Sequence, residues 1–225
     1  TGYIDDISNI KLGSVVIYTY TNSTFSSLDD STHRITGDNS SDYFGISLAL
    51  DKEGNNIVIG ALDYTNRFKG YVKVYKKITD NWNSDNSIFK FDNNDKIQGV
   101  NNYDYFGSSV DITNNVDITN NFKNSIIIGS KYNDNGGTNS GLIQIYNLNN
   151  TLDEETNLII DEETNLIKIG EDRIGEDRYN YFGHSVSISK QINTGNTIVL
   201  IGGYGNLKFT GYAKVFQIED VSNKG

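Results

Sequence analysis

Apolar and polar positions along the chain fall into three kinds of short segment that recur in one order. The first alternates: Ile46-Ser-Leu-Ala-Leu50, Ser108-Ser-Val-Asp-Ile112 and His184-Ser-Val-Ser-Ile188. Period-two alternation predicts a strand buried on one face. The second is a continuous, mainly β-branched run closing on glycine: Asn56-Ile-Val-Ile-Gly-Ala61, Ser125-Ile-Ile-Ile-Gly-Ser130 and Thr197-Ile-Val-Leu-Ile-Gly-Gly203. Unbroken apolar character predicts a strand covered on both faces. The third is Gly70-Tyr-Val-Lys-Val-Tyr75, Gly141-Leu-Ile-Gln-Ile-Tyr146 and Gly211-Tyr-Ala-Lys-Val-Phe216, with an earlier copy at Gly13-Ser-Val-Val-Ile-Tyr18. Weaker stretches at Ser87-Ile-Phe-Lys-Phe91 and Asn165-Leu-Ile-Lys-Ile169 predict a fourth strand.

A Tyr-Phe-Gly triplet stands directly ahead of each alternating segment, at Tyr43 to Gly45, Tyr105 to Gly107 and Tyr181 to Gly183. Recurrence at one fixed point of a repeat assigns Phe44, Phe106 and Phe182 to packing between neighbouring repeats. Gly45, Gly107 and Gly183 then permit a tight lead-in to the inner strand. Gly60, Gly129 and Gly202, which close the second segment, complete the set of structural motif positions.

The triplet glycines are separated by 62 and then 76 positions. Three tandem duplications account for the difference. Val110 to Asn115 recurs as Val116 to Asn121, Leu152 to Ile159 as Ile160 to Ile167, and Ile169 to Arg173 as Ile174 to Arg178. Removing one copy of each takes out 19 residues and leaves a spacing of 57. Insertions of this kind fall in loops and sheet edges, where loop-closure cost rises slowly with length.

Four short strands per repeat of ~40 to 60 residues is the pattern of a β-propeller blade. The expected fold is therefore all-β, a β-propeller of four-stranded antiparallel blades occupying residues 1–225 as one region. Its repeats are a partial one at 1–34 and then 35–95, 96–170 and 171–225. The first repeat is expected to lack its inner two strands, and the last its outer strand after Phe216. That pattern fits a segment of a larger propeller or filament-forming chain, with a small closed propeller as the alternative.

The order Phe-Gly-x-Ser-Val, β-branched run ending Gly-Ala, then Gly-x-Val-x-Val-Tyr resembles the FG-GAP repeat of integrin alpha-subunit β-propellers and related bacterial, algal and viral surface proteins. The resemblance covers most of the chain. It implies an extracellular, cell-surface or virion-surface location and a role in adhesion or assembly, and it is more specific for architecture than for activity. It also implies calcium in a loop of the form Asp-x-Asp-x-Asp-Gly-x-x-Asp between the first two strands. The matching loop in the first repeat is Asp51-Lys-Glu-Gly-Asn-Asn56, which makes Asp51 and Glu53 the candidate ligands. Calcium takes ~6 to 8 oxygens, and two carboxylates fall short of the family pattern. The matching loops of the other repeats are the Asn-rich duplication after Val110 and Lys190 to Gly195, and Asn133 to Gly137 reads as a turn.

Composition agrees with strands and turns, with 22 Gly, 15 Tyr and 10 Phe. The absence of cysteine removes disulfides, thiolate metal sites and a thiol nucleophile. A net charge of -10 argues against nucleic acid and anionic membrane as partners. No run approaches the ~18 apolar residues of a membrane span, so no insertion by this segment is expected.

Catalytic chemistry is thin. His33 and His184 occupy different repeat positions, without Ser/His/Asp spacing or a phosphate loop beside them. The carboxylate pairs of Asp153 to Glu155, Asp161 to Glu163, Glu171-Asp172 and Glu176-Asp177 lie in duplicated charged runs, which read as solvated faces rather than a glycosidase pair. Sequons at Asn22, Asn39 and Asn149 are no more than this composition supplies by chance. Tyr64, Trp82, Tyr132 and Tyr204 fall in or near loops, where rings stack on sugars or anchor protein partners. The expected function is a noncatalytic surface propeller without a cofactor, acting in adhesion, protein interaction or self-assembly. A carbohydrate-binding, lectin-like propeller is the alternative.

Overall fold

The computed structural model describes residues 2–5, 11–21, 24–27, 33–77, 95–113, 124–149, 165–191, 196–205 and 210–218. Its strands are β1 (Gly2–Asp5), β2 (Lys11–Val16), β3 (Tyr18–Thr21), β4 (Thr24–Ser27), β5 (Arg34–Thr36), β6 (Ser47–Leu50), β7 (Asn56–Ala61) and β8 (Tyr71–Lys76). They continue with β9 (Ile97–Gln98), β10 (Phe106–Ile112), β11 (Ser125–Ser130), β12 (Leu142–Asn149), β13 (Asn165–Ile174), β14 (Ser185–Lys190), β15 (Thr197–Gly203) and β16 (Tyr212–Ile218). A 3-10 turn spans Tyr64–Asn66.

The fold is all-β, and the three recurring segments pair in chain order. Four antiparallel sheets form, β1-β2-β5, β6-β7-β8-β9, β10-β11-β12-β13 and β14-β15-β16, with β3-β4 as a separate two-stranded ribbon. The sheets stack on one another in sequence order. Val15 and Ile35 of the first sheet pack with Ile57, Ile59 and Tyr71 of the second. Val58, Val72 and Val74 on the second sheet's other face meet Phe106, Val110 and Ile126 of the third. Ile127 and Ile143 of the third meet Ile188, Val199 and Ile201 of the fourth. Adjacent residues of β7 and β11 thus enter different cores, which is why those runs are apolar without a break. Each such buried side chain contributes about 1.5 to 3 kcal/mol relative to exposure.

β15 departs from that expectation. Val199 and Ile201 are buried, whereas Leu200 on the other face is 46 % exposed, because no sheet covers that face among the described residues. β6 is the counterpart at the other end. Leu48 and Leu50 are exposed, since among the described residues the first sheet consists of β1, β2 and β5 alone and has no further strand beside β1 to cover them.

The first sheet is also fuller than expected: β1 pairs with β2 along its four residues, so one of its two inner strands is present. The outer strands run a few residues past the repeat boundaries, β5 pairing back to β2, β9 to β8 and β13 to β12. Ser87 to Phe91 and Trp82 lie outside the described residues. The first copy of the Ile-Gly-Glu-Asp-Arg duplication is absorbed within β13, an edge strand, as a bulge between the partners of Ile143 and Ile145. There Gly170 takes φ +67. The second copy begins at the end of β13 and continues into the turn ahead of Tyr179.

The Phe-Gly segments lock each repeat onto the one before it. Phe44, Phe106 and Phe182 are 2 %, 4 % and 2 % exposed. The amides of Tyr103, Tyr105 and Phe106 donate to the carbonyls of Arg67, Phe68 and Lys69, and those of Tyr179, Tyr181 and Phe182 to Thr138, Asn139 and Ser140. Gly70 and Gly141 make this approach feasible: a Cβ on them would lie 1.9 and 2.1 Å from the carbonyl oxygens of Phe106 and Phe182.

Candidate functional site

The residue before each triplet, Asp42, Asp104 or Asn180, is buried. Asp42 accepts hydrogen bonds from the Tyr71 hydroxyl at 2.9 Å and from the Asn39 amide at 3.0 Å. Asp104 accepts from Asn133 Nδ2 at 2.6 Å and Asn101 Nδ2 at 3.0 Å, both at its Oδ2. Burial pushes both carboxyls above the usual aspartate range, with Asp63 adding to the effect at Asp42 and Asp134 at Asp104.

On either side of these anchors the backbone is left-handed. Ser41 and Tyr43, Tyr103 and Tyr105, and Tyr179 and Tyr181 all have φ between +51 and +65. For residues with a Cβ this costs roughly 1 to 2 kcal/mol each, and such strain persists only where surrounding bonds over-determine it. The amide ladders and buried anchors do so here. Their effect is to hold the tyrosines out along one rim of the stacked sheets.

The rings form a continuous ribbon. Tyr64 meets Phe68 edge-on at 4.9 Å, and Phe68 stacks on Tyr105 at 4.9 Å with Tyr103 at 6.3 Å. Tyr105 meets Tyr132 at 4.7 Å, and Tyr132 meets Tyr181 at 5.6 Å. Tyr181 stacks on Tyr204 at 4.4 Å with the planes 5° apart, and the His184 ring abuts Tyr204 at 4.5 Å. These pairings match the offset and edge-on geometries that aromatic quadrupoles favour. Tyr64, Tyr103 and Tyr204 remain exposed, so the ribbon offers ring surface to a partner. Burial and the neighbouring Tyr132 hydroxyl push the Tyr204 phenol up to about 12, and burial next to Lys131 lowers the His184 imidazole below its ordinary value.

Three of the four aromatics singled out in the sequence, Tyr64, Tyr132 and Tyr204, lie on this ribbon. Phe68, Tyr103, Tyr105 and Tyr181 were not singled out as surface residues. The signal that finds them is the tyrosine in the triplet itself, read apart from its buried Phe-Gly.

Asp51 and Glu53 lie in different surroundings. Asp51 is buried at the β6–β7 turn, where Oδ1 accepts from the amides of Asn55 and Asn56 at 2.7 and 3.1 Å and Oδ2 from Asn56 Nδ2 at 2.6 Å. Glu53 is exposed. A cation at Asp51 would face these N–H donors, so the loop does not fit calcium; Asp51 serves to close the turn. Among the described residues no group of three or more His, Cys, Asp or Glu could hold a metal. Asn133 to Gly137 forms a turn, with the Gly137 amide donating to the Asp134 carbonyl. His33 is buried beside β5, and Asp153 to Glu163 lie outside the described residues. Also among the described residues, no helix is long and apolar enough to cross a membrane.

No protein-family model matches the chain, and a search of curated proteins finds no match.

Proposed function

We propose that the chain is a noncatalytic β-propeller module of the FG-GAP kind, its four stacked sheets acting as blades, that works at a cell or virion surface in adhesion, protein interaction or assembly. One observation carries this reading: the motif residues are consumed in joining sheet to sheet, while an aromatic ribbon is held outward across the repeats at the expense of backbone strain. Exposed, rigid tyrosines supply contact area at low entropic cost, the property that makes them frequent binding anchors.

Carbohydrate binding is the second reading, favoured by the same exposed rings, which present flat faces on which a sugar can stack. The test is adhesion of the immobilised chain to cells, with a Tyr103→Ala/Tyr204→Ala double variant of unchanged melting behaviour. Loss of adhesion in the variant is expected; undiminished adhesion would sink the ribbon as the binding surface. Competition by free glycans, together with binding on a glycan array, would decide for the second reading.

A further inference from the structure

The residue that opens the third strand of each repeat differs at one of the three sheet junctions. Tyr71, Leu142 and Tyr212 hold the same register, opposite Ala61, Ser130 and Gly203. In the first and last junctions the tyrosine ring lies near the triplet phenylalanine, Phe44 to Tyr71 at 6.3 Å and Phe182 to Tyr212 at 6.4 Å. Two residues on, a lysine pairs with an acid of the loop ahead of the triplet, Lys73 with Asp38 and Lys214 with Glu176. The middle junction has Leu142 in place of the tyrosine, Gln144 in place of the lysine and Val100, 80 % exposed, in place of the acid. These positions correspond because the amides of Gly37, Gly99 and Gly175, one residue before Asp38, Val100 and Glu176, donate to the carbonyls of Gly13, Gly70 and Gly141 alike.

Where the ring, the lysine and the acid are missing, there is a cleft of about 320 Å³ with Asp104, Phe106, Leu142 and Gln144 in its walls. It lies inside the stack, between the two four-stranded sheets. At the first junction the Tyr71 hydroxyl donates to Asp42. At the middle one Asn133 and Asn101 donate to Asp104, both at Oδ2, and Oδ1 has no donor among the described residues. A loop amide thus replaces the tyrosine's hydrogen bond but not its ring.

We infer that this cleft is a phenol-binding site: a para-substituted phenol enters the space that Tyr71 and Tyr212 fill from within the chain, its ring against Phe106 and Leu142 and its hydroxyl donating to Asp104. A cavity where a side chain is missing can take up a ring of that shape, as benzene enters an engineered apolar cavity of ~150 Å³. The walls hold no lysine or arginine but two carboxylates, Asp104 and Asp172, which disfavours an anion. The amide N–H groups already aimed at Asp104 disfavour a cation. What the buried carboxylate lacks is a neutral donor, and a hydrogen bond to a charged acceptor is among the stronger ones.

The test titrates p-cresol and toluene into the 225-residue chain, followed by ¹⁵N NMR at the side-chain amides of Asn101 and Asn133. p-Cresol is expected to shift both with a Kd of roughly 1 mM. Toluene, which cannot donate to the carboxylate, should bind about tenfold more weakly. Leu142→Tyr supplies the ring from within and should abolish the p-cresol shifts. Amides that ignore p-cresol, toluene that binds as tightly, or a folded Leu142→Tyr chain that still binds would overturn the site. If that variant does not fold, the comparison of p-cresol with toluene on the wild type decides alone. Glucose shifting the amides where p-cresol does not would also overturn it. N-acetyltyrosinamide binding as tightly as p-cresol would assign the phenol to a tyrosine of a protein partner, and binding of p-cresol alone to a free small molecule; both support the site. None of the cleft's walls is a ring of the tyrosine ribbon, so this result and that of the adhesion test stand or fall separately.

Discussion

Ser47 Oγ donates a 2.7 Å hydrogen bond to the carbonyl of Gly107, 60 residues on and in the next sheet. Ser109 repeats it to Gly183 at 2.6 Å. Gly60 and Gly129 make room for both partners: a Cβ there would lie 2.3 Å from the serine oxygen and 2.0 or 2.1 Å from the glycine carbonyl. Serine, closing glycine and triplet glycine are therefore one joint, built twice. Ser185 and Gly202 hold the same half of it on the last sheet, with a Cβ on Gly202 again 2.3 Å from the serine oxygen.

Removing one serine hydroxyl leaves a carbonyl at a buried glycine without this donor, which costs about 1 to 3 kcal/mol. Ser47→Ala and Ser109→Ala should each lower the urea midpoint accordingly. The two joints share no partner, so the double variant should be additive to within roughly 0.5 kcal/mol. Ser185→Ala in the 225-residue chain, where no following sheet is present among the described residues, should lie near wild type. Equal losses at all three positions would show that the effect is local to the serine rather than to the joint.

Glycine substitutions separate lack of space from backbone strain. Gly54 has φ +68 with nothing within 4 Å of an added Cβ, whereas Gly70 has φ +79 and a Cβ there would meet backbone at 1.9 Å. Gly54→Ala should cost only the left-handed penalty of roughly 1 to 2 kcal/mol. Gly70→Ala must also push the Phe106 segment away and should unfold the chain or exceed that loss severalfold. Equal losses in chemical denaturation would refute the close-packed joint.

Much of the scaffold was legible because its signals are local. Continuous apolar runs foretold β7 and β11, and the fixed place of Phe-Gly foretold the burial of Phe44, Phe106 and Phe182. β9 was not legible, since two residues, Ile97 and Gln98, carry no periodicity and are recruited by β8. Leu48 and Leu200 follow the same pattern as their buried counterparts Val110 and Ile127, and only the presence or absence of a covering sheet sets them apart. The ribbon was half legible. Tyr64, Tyr132 and Tyr204 stood out in loops, but left-handed tyrosines run against intrinsic preference, and rings from distant segments meet only when the sheets stack.

Asp104 gives a pH signature with a definite sign. Its folded carboxyl is raised above the ordinary value near 3.8 by burial. The stability this contributes is present in full below that value and is lost as pH rises through the folded pKa. Asp104→Asn removes the titration and keeps an oxygen for Asn133 and Asn101, and the third repeat already carries Asn180 at this position. Relative to wild type the variant should therefore gain stability as pH rises above the ordinary aspartate value and through the folded pKa in urea titrations. A wild type that gains on the variant over this range would mean that the carboxyl is lowered.

Tyr103 sets stability against binding. It is 58 % exposed with φ +65, and among the described residues its ring meets the ribbon at Phe68, 6.3 Å away. Glycine accepts this backbone without strain. Tyr103→Gly should therefore leave stability unchanged or raise it by up to about 1 kcal/mol, the relieved strain offsetting the added freedom of the unfolded chain. A residue kept for folding would not behave in this way. If the ribbon binds, the same variant should weaken adhesion while its melting temperature holds or rises, and that opposition of the two readouts separates a functional tyrosine from a structural one. A variant that melts markedly earlier would return Tyr103 to the scaffold, and one that adheres like wild type would remove it from the binding surface.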